Sequence, residues 1–465
     1  MKKIWIDCSF FCHHVELNTG IQRVVRNVLA NITPLAIKYQ YEVIPVDISN
    51  GQFRVLNLAD LCPDRTPNPS TEKKINPLKS IESYLGRVYE ASRYLLSVMF
   101  PFDFINAFLY APRDKFGLSS SIDFFTYKPL KFVKKLMARK NSIIIKNNDL
   151  NNINKTEDPF GAGDRLLLLD STWDANIWPT VERLKNSGIH ITAIVYDLIP
   201  IRYPQFCEDY IAKVLKQWFF DSWQYVDCYI SISNTSNNDL IEFYKENGKN
   251  TDKKEFDYFL LGADIYTDHN QTAHIRPDLD AMLKYPIFLS VSTIEPRKNH
   301  DYLLDTFDIL WKQGQALNLC IVGRVGWKVD KTMQRFLSHE HYKKHLWIWN
   351  DLNDSELKYL YTRAKMLLFP SIVEGFGLPI VESLAHGLPV LASDTRIHRE
   401  VGGERIGYFP LSEPQALAEQ IIKIQAEGIP LKLQVEAGYH WMNWQESTQM
   451  LLEKMMRNTQ IGRAA

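Results

Sequence analysis

The sequence predicts an α/β protein made of two doubly wound domains that face each other across a cleft, with a helical or irregular insertion in the first domain. In both halves of the chain, short apolar runs alternate with amphipathic stretches of helical length, which is typical of parallel sheets. This alternation breaks down at about residues 60–163, and a polar segment from about 265 to 285 separates the halves. We therefore expect one domain over 1–270, with the insertion inside it, and a second over 285–440.

The first half opens with the apolar strand Ile4–Ile6, a loop, and a glycine, Gly20. The helix that follows has its apolar residues at the i, i+3, i+4, i+7 spacing of a single helix face, from Ile21 to Ile32. A strand, a turn with glycine and a helix together form the usual opening of a doubly wound domain. Further strands are expected at Tyr41–Ile48, Arg165–Asp170, Ile189–Asp197 and Tyr229–Ser233, and Phe259–Asp264 is expected to close this half.

The second half repeats the scheme. Helices are expected to begin near Asn299, Asp354 and Pro379. Strands are expected at Ile287–Thr293, Leu317–Val322, Leu346–Trp349, Met366–Phe369 and Pro389–Ala392. In open parallel sheets, ligands bind beyond the carboxyl ends of the strands, so we expect the functional site there.

Composition excludes several classes of protein. The chain has 465 residues, with 54 Lys and Arg against 54 Asp and Glu, so it lacks the basic excess of a nucleic-acid-binding protein. Its six cysteines are scattered, as in reduced cytosolic proteins. Asp7 interrupts the first apolar run, which argues against a secretory signal, and no apolar stretch reaches the roughly 20 residues that span a bilayer. We expect a cytoplasmic location and no nucleic-acid partner.

Two interpretations of the insertion remain open. Tyr94–Ala111 is rich in aromatic residues, and Lys128–Lys140 carries six cations among apolar residues. Such segments suit the headgroup layer of a membrane, which favours peripheral contact with the inner face of the cytoplasmic membrane through about residues 80–140. An ordinary buried helical insert with a solvated basic face explains the pattern equally well.

The most informative stretch is Ser371–Ala385, which follows an apolar strand and leads into a helix. Gly375 and Gly377 allow a ligand to approach the backbone closely. The N-terminus of the helix presents free N–H groups that suit a diphosphate. Glu374 and Glu382 flank this position, and a carboxylate can accept hydrogen bonds from neighbouring hydroxyls of a sugar or ribose. The stretch therefore predicts a nucleotide-sugar site.

Glu374 and Glu382, with seven residues between them, resemble the E-x7-E signature of retaining glycosyltransferase family 4, whose members have the two-Rossmann glycosyltransferase-B fold. Several other stretches are similar to segments of that family: Ser292–Asn299, Val322–Trp327, Phe369–Gly377 and Gly387–Ser393. Thr19–Val24 and Tyr196–Pro200 are similar to its bacterial surface-polysaccharide members. The resemblance also implies that a C-terminal helix, at about 441–465 and including Trp444, packs back on the first domain.

The resemblance implies a role for each matching residue. Glu374 is expected to hold the donor sugar, Glu382 the ribose, and Arg297 with Lys298 the diphosphate, whose charge grows as the sugar leaves. The donor-binding set is Gly20, Arg297, Lys298, Glu374, Gly375, Phe376, Gly377, Leu378 and Glu382. The catalytic set is Asp197, Glu374, Arg297 and Lys298, and the acceptor-binding set is Arg23, Tyr196 and Asp197. No metal is expected, because cations and N–H groups already stabilise the leaving group.

Other interpretations of these residues stay open. Gly20 also fits a simple helix start, and Arg23, like Arg26, binds an acceptor phosphate or is merely solvated. Asp197 either orients a substrate or caps the next helix. Tyr196 stands where many relatives have His, and Thr293 stands where many have Arg.

The implied reaction is transfer of a hexose, with retention, to a hydroxyl of a lipid-linked or oligosaccharide acceptor in bacterial O-antigen or capsule assembly. Mannose from GDP-mannose is favoured as the donor, because the motifs resemble those of mannosyl- and rhamnosyltransferases. The alternatives are rhamnosyl or glucosyl transfer from a dTDP- or UDP-sugar, a nucleotide-sugar epimerase, and a binding module without turnover.

Overall fold

The computed structural model describes residues 1–15, 19–51, 53–61, 160–264 and 275–457. These residues belong to one compact unit, Met1–Thr66 together with Phe160–Ala465. Apart from its two ends, the insertion expected near 60–163 lies outside the described residues, as do the aromatic and basic stretches on which the membrane interpretation depends.

The first sheet has seven strands in the order β3-β2-β1-β4-β5-β6-β7, all parallel except β3, which pairs antiparallel with β2. Its strands are β1 (Lys2–Asp7), β2 (Tyr41–Asp47), β3 (Arg54–Val55), β4 (Arg165–Leu168), β5 (His190–Val195), β6 (Cys228–Ser231) and β7 (Glu255–Tyr258). The helices described in this half are α1 (Gly20–Ile37), α2 (Leu58–Leu61), α3 (Trp178–Asn186), α4 (Ile199–Arg202), α5 (Asp209–Tyr225) and α6 (Asn234–Glu246).

The second sheet has six strands, all parallel, in the order β10-β9-β8-β11-β12-β13. They are β8 (Ile287–Val291), β9 (Asn318–Val322), β10 (Leu346–Trp349), β11 (Met366–Phe369), β12 (Val390–Ser393) and β13 (Gly407–Phe409). The helices of the second half are α7 (Pro277–Met282), α8 (His300–Lys312), α9 (Asp330–Leu337), α10 (Asp354–Arg363), α11 (Leu378–Ala385), α12 (Arg396–Gly402), α13 (Pro414–Glu427) and α14 (Trp444–Arg457).

Burial explains why the apolar runs become strands. Every residue of β11 and β12 is buried, as expected for parallel strands covered on both faces. The predicted apolar face of α1 is likewise buried, from Val24 to Ile32. The predicted fold class, two α/β domains with parallel sheets, is confirmed.

The shortest and most exposed strands were missed by the sequence prediction. β3 and β13 have only two and three residues. β7 lies just before Phe259–Asp264, and all four of its residues are only partly buried, so no apolar run marks it. Phe259–Asp264 is instead an extended segment beneath α14, where the backbone N–H of Trp444 donates to the Asp264 carboxylate at 2.7 Å.

Helix α14 returns to the first sheet and packs against α1, β6 and β7. Trp444 is buried at its start, and a Cβ on Gly262 would lie 2.5 Å from the Trp444 nitrogen, so this crossing requires glycine. We call the first sheet, its helices and α14 the N-terminal lobe, and the second sheet with α7 to α13 the C-terminal lobe. Within the described part of the chain, no helix combines the length and apolar character needed to cross a membrane.

Candidate active site

The candidate site forms where loops at the carboxyl ends of three strands meet. The loop after β8 carries Arg297 and Lys298, and the loop after β11 carries Glu374. Tyr196 and Asp197 directly follow β5 in the other lobe. Since parallel strands all end at the same edge of their sheet, residues far apart in sequence converge there.

A buried cluster of opposite charges forms the centre of the site. Glu374 accepts a hydrogen bond from Arg297 Nη1 at 2.7 Å through Oε2, and one from Lys298 Nζ through Oε1. The other terminal nitrogen of Arg297, Nη2, lies 2.6 Å from Glu295 Oε1. The Lys298 ammonium also lies 5.4 Å from the centre of the Phe369 ring. We call Glu295, Arg297, Lys298 and Glu374 the charge cluster.

Local backbone geometry aims the two cations in one direction. Pro296–Lys298 forms a single 3₁₀ turn, and Asn299 then adopts a left-handed conformation with φ 55° before α8 begins. Asparagine tolerates this conformation better than most residues. The turn places consecutive side chains, Arg297 and Lys298, on the same carboxylate.

Burial and the neighbouring charges act against each other on the pKa of Glu374. Burial raises this pKa, but attraction to Arg297 and Lys298 outweighs burial and holds it well below its usual range. The pKa of Lys298 is lowered by burial and by repulsion from Arg297. Glu374 is therefore ionised, and the cluster brings two cationic side chains to the cleft.

Asp197 lies beside this cluster but caps a helix. Its Oδ1 accepts a hydrogen bond from the backbone N–H of Ile199, at the start of α4, at 2.9 Å. Burial raises the pKa of Asp197, while attraction to Arg297 opposes that rise. The helix-cap interpretation of Asp197 thus holds for one of its two carboxylate oxygens, Oδ1. A Cβ on Gly375 would lie 3.3 Å from the second, Oδ2, which therefore faces the loop of the other lobe.

Gly375 is required by the contact between the lobes. A Cβ at this position would lie 2.5 Å from the Tyr196 carbonyl oxygen and 3.0 Å from the Asp197 Cβ. The Gly375 carbonyl accepts hydrogen bonds from the hydroxyls of Ser233, at 2.7 Å, and Ser236, at 3.2 Å. The loop before α11 therefore lies directly against the N-terminal lobe.

Glu382 is fully buried in α11 and is held from both lobes. Its Oε1 accepts from the Arg23 guanidinium of α1, and its Oε2 accepts from the Tyr361 hydroxyl at 3.0 Å. The structure thus brings Arg23, predicted for the acceptor, to the carboxylate predicted for the donor ribose. Burial lowers the pKa of Arg23, but Glu382 outweighs that effect and the net shift is upward.

The structure places the remaining predicted residues as follows. Phe376 and Leu378 are buried beside Gly377, whose φ of 103° requires the left-handed conformation that glycine adopts without strain. Gly20 is exposed at the first residue of α1, and a Cβ there would meet nothing within 4 Å. The Tyr196 hydroxyl donates to the Leu169 carbonyl at 2.6 Å inside the N-terminal lobe. The structure therefore does not bring that hydroxyl together with the other site residues.

Several residues of the site were not assigned a role from the sequence. Glu295 and Tyr361 hold Arg297 and Glu382, respectively. Glu400 of α12 accepts from the backbone N–H groups of Asn234 and Thr235 at 2.7 and 2.8 Å, and so caps α6 of the other lobe. Only Ser233, the N-cap that accepts from the Ser236 N–H, could have been found from its position before a helix pattern.

A second cluster at the end of β1 and β2 does not suit a metal. The ligand atoms of Cys12, His13 and Asp47 lie within 4.8 Å of one another. However, Arg54 donates to Asp47 Oδ2 at 2.9 Å, and the Ser49 hydroxyl donates to Oδ1 at 2.6 Å. The Arg54 guanidinium takes the place beside Asp47 that a metal cation would need, so the arrangement fits an ion pair between Arg54 and Asp47.

We predict that Gly375→Ala destabilises the chain. The added methyl group would overlap the Tyr196 backbone, which cannot rotate away, and overpacking of this kind costs about 1–3 kcal/mol. The thermal unfolding midpoint should fall by several degrees, while the radius of gyration from small-angle scattering should rise as the lobes separate. Gly20→Ala, in open space, serves as the control. Equal midpoints for both variants would contradict the close approach.

Two ion pairs between the lobes allow a matched comparison. We predict that Arg23→Ala costs about 2–5 kcal/mol, because it leaves the buried Glu382 without its cation. Arg396→Ala breaks the pair with Asp239, in which the Arg396 side chain is 73% exposed, and should cost less than about 1 kcal/mol. Urea unfolding followed by tryptophan fluorescence measures both. If both variants lose the same stability, the buried pair does not hold the lobes together.

Comparison with known proteins identifies the second half of the chain. Residues 271–441 match the family model for glycosyl transferases group 1. The serotype-specific mannosyltransferase WbdA of Escherichia coli is 29% identical over 308 residues, which are 64% of this chain and 37% of that protein. The O-antigen chain mannosyltransferase RfbU of Salmonella typhimurium is 28% identical over 225 residues, 48% of this chain and 56% of that protein. The chain thus spans little more than a third of the length of WbdA.

Among solved structures, sucrose-phosphate synthase from Thermosynechococcus elongatus aligns over the whole of both chains, with a TM-score of 0.52 and 16% sequence identity. This similarity shows a shared fold. The resemblance to glycosyltransferases drawn from the sequence motifs is thus confirmed, and the chain contains a glycosyl transferases group 1 domain.

Proposed function

We propose that the chain is a retaining, metal-independent glycosyltransferase that moves mannose from GDP-mannose to a hydroxyl of a glycan. The observation that carries the proposal is the charge cluster: two cations converge on the buried Glu374, in the loop before α11 of the group 1 domain. The names of the relatives WbdA and RfbU favour mannose as the transferred sugar and O-antigen as the product.

The leaving group explains why two cations are needed. When the bond between the sugar and the diphosphate breaks, negative charge accumulates on the diphosphate. Lys298 is buried, Arg297 is mostly buried, and both are already oriented by Glu374, so they stabilise that charge with little reorganisation. The N-terminus of α11, after Gly377, adds oriented N–H groups on the same side.

The carboxylates bind the hydroxyl-bearing parts of the donor. Glu374 accepts hydroxyls of the sugar while it holds both cations. Glu382 accepts the ribose hydroxyls, which requires them to replace the Arg23 guanidinium now bound there. The Arg23 guanidinium, once displaced from Glu382, pairs with the diphosphate of the donor. Arg23 therefore binds the donor rather than the acceptor.

The acceptor approaches from the N-terminal lobe. Asp197 Oδ2 lies near Gly375, where it can orient the attacking hydroxyl. The transition state resembles an oxocarbenium ion, as in glycoside hydrolysis. The acceptor is a lipid-linked or free oligosaccharide at the inner face of the cytoplasmic membrane; this part of the proposal comes from the resemblance and from the O-antigen relatives.

The donor is tested by thermal unfolding with GDP-mannose, UDP-glucose and dTDP-rhamnose. A ligand that binds only the folded chain stabilises it by about 2.7 kcal/mol at a hundredfold excess over Kd, so GDP-mannose should raise the midpoint and the others should not. Stabilisation by a UDP- or dTDP-sugar alone would correct the donor. If none of the three ligands raises the unfolding midpoint, the nucleotide-sugar site is refuted.

We predict that Glu374→Gln and Lys298→Gln each lower turnover about 10²–10³-fold, as does loss of a single stabilising group in other enzymes. Transfer of radiolabelled mannose to an oligosaccharide measures this. Lys312→Gln, on the exposed end of α8, is the control and should keep normal turnover. Unfolding midpoints show whether a variant has lost activity through misfolding. Near-normal rates in both site variants would exclude the charge cluster from the reaction.

A further inference from the structure

Three aromatic residues come together at the point where the two lobes meet. Tyr203 and Phe206 follow α4 in the N-terminal lobe, and their rings stack with centres 6.4 Å apart. Trp327 follows β9 in the C-terminal lobe, and its indole N–H donates to the Phe206 carbonyl at 2.8 Å. Tyr203 is 37% and Trp327 41% exposed. We call Tyr203, Phe206 and Trp327 the aromatic platform.

The platform is held in place from both lobes. The Lys328 ammonium donates to the Cys207 carbonyl across the same junction. Trp327 is tied back to the charge cluster, because the N–H of Gly326 donates to the Ile294 carbonyl at 2.8 Å, next to Glu295. Hydrogen bonding of the indole fixes the ring while two fifths of its surface remains open. Within the described ranges, no other ring or cation stacks on Trp327.

Backbone segments connect the platform to the candidate active site. The segment that carries it begins at α4, whose first turn is capped by Asp197. A Cβ on Gly326, the residue before Trp327, would lie 3.4 Å from the Cβ of Glu295 in the charge cluster. The two parts of the platform therefore adjoin the candidate site, one through α4 and the other through Gly326.

The chemistry of the platform suits a neutral sugar chain. Contiguous exposed apolar surface is typical of binding sites, and flat aromatic rings match the C–H face of a pyranose ring. An anionic membrane surface fits less well, because Arg202 is paired with Glu246 at 2.6 Å, and the exposed Glu208 and Asp209 lie beside the platform. These acidic groups would repel phosphate headgroups.

We propose that the aromatic platform is an extended acceptor subsite, which binds sugar units of the glycan beyond the one that receives the new residue. The nature of this ligand rests on the proposed function. The platform makes the chain select longer acceptors, because a monosaccharide fills the reacting position but cannot reach the rings.

The test measures binding of α-linked mannotetraose and of methyl α-mannoside by isothermal titration. Transfer assays with the same two acceptors measure the rate of mannose transfer. Trp327→Leu keeps an apolar side chain but removes the ring, and should weaken tetraose binding about tenfold, the scale of one good aromatic contact. The KM for GDP-mannose and the rate with methyl α-mannoside should stay unchanged. Trp327→Phe should recover part of the loss, and Leu431→Ala, at an apolar residue that is 86% exposed, should behave like the parent chain.

The outcomes separate the two proposals. If the parent chain binds mannotetraose and Trp327→Leu does not, the platform stands even when no nucleotide sugar binds, and only the proposed function fails. If GDP-mannose binds but mannotetraose binds equally to both chains, or to neither, the platform is overturned. If Trp327→Leu loses adsorption to anionic vesicles but retains tetraose binding, the acceptor-subsite proposal is also overturned, because the surface would then bind a membrane.

Discussion

The candidate site depends on one buried carboxylate that two cations share. Glu374, Arg297 and Lys298 are all largely removed from water, and each would be costly to bury alone. Together with Glu295 they neutralise one another, which fixes the loop after β8 relative to the loop after β11. The same arrangement that offsets their burial also holds the two cations in fixed positions beside Glu374.

Several polar contacts join the lobes. The Arg23 and Glu382 pair is buried, the α6 N-terminus is capped by Glu400, and the Gly375 carbonyl accepts from two serines. Apolar packing crosses the junction too, because the Phe376 ring lies 6.3 Å from the Trp441 ring just before α14. At Glu382, a buried carboxylate of one lobe meets a cation of the other. A ligand that competes for Glu382 would therefore act directly on the contact that joins the lobes.

The predicted site divides into residues whose roles follow from local sequence and residues whose placement depends on the other lobe. Arg297, Lys298, Glu374 and Glu382 stand in motifs where strand, turn and helix are contiguous, so their position at one sheet edge was predictable. Arg23 and Tyr196 were assigned to the acceptor, yet the guanidinium of Arg23 reaches Glu382 and the hydroxyl of Tyr196 turns into its own lobe. The orientation of Arg23 depends on a partner more than 300 residues away in the sequence. The orientation of Tyr196 depends on Leu169, which follows the adjacent strand.

The amino-acid sequence by itself determined the alternation of strands and helices, because apolar periodicity directly reflects which faces are buried. It also determined the glycine-rich turn before α11, since Gly377 needs a positive φ and Gly375 has no side chain. Only the tertiary structure decided which lobe supplies each partner: Glu400 for α6, Tyr361 and Arg23 for Glu382, and the Phe206 carbonyl for Trp327. The physical reason is that periodicity reports burial along one element, whereas charge pairing and capping depend on where separate elements meet in space.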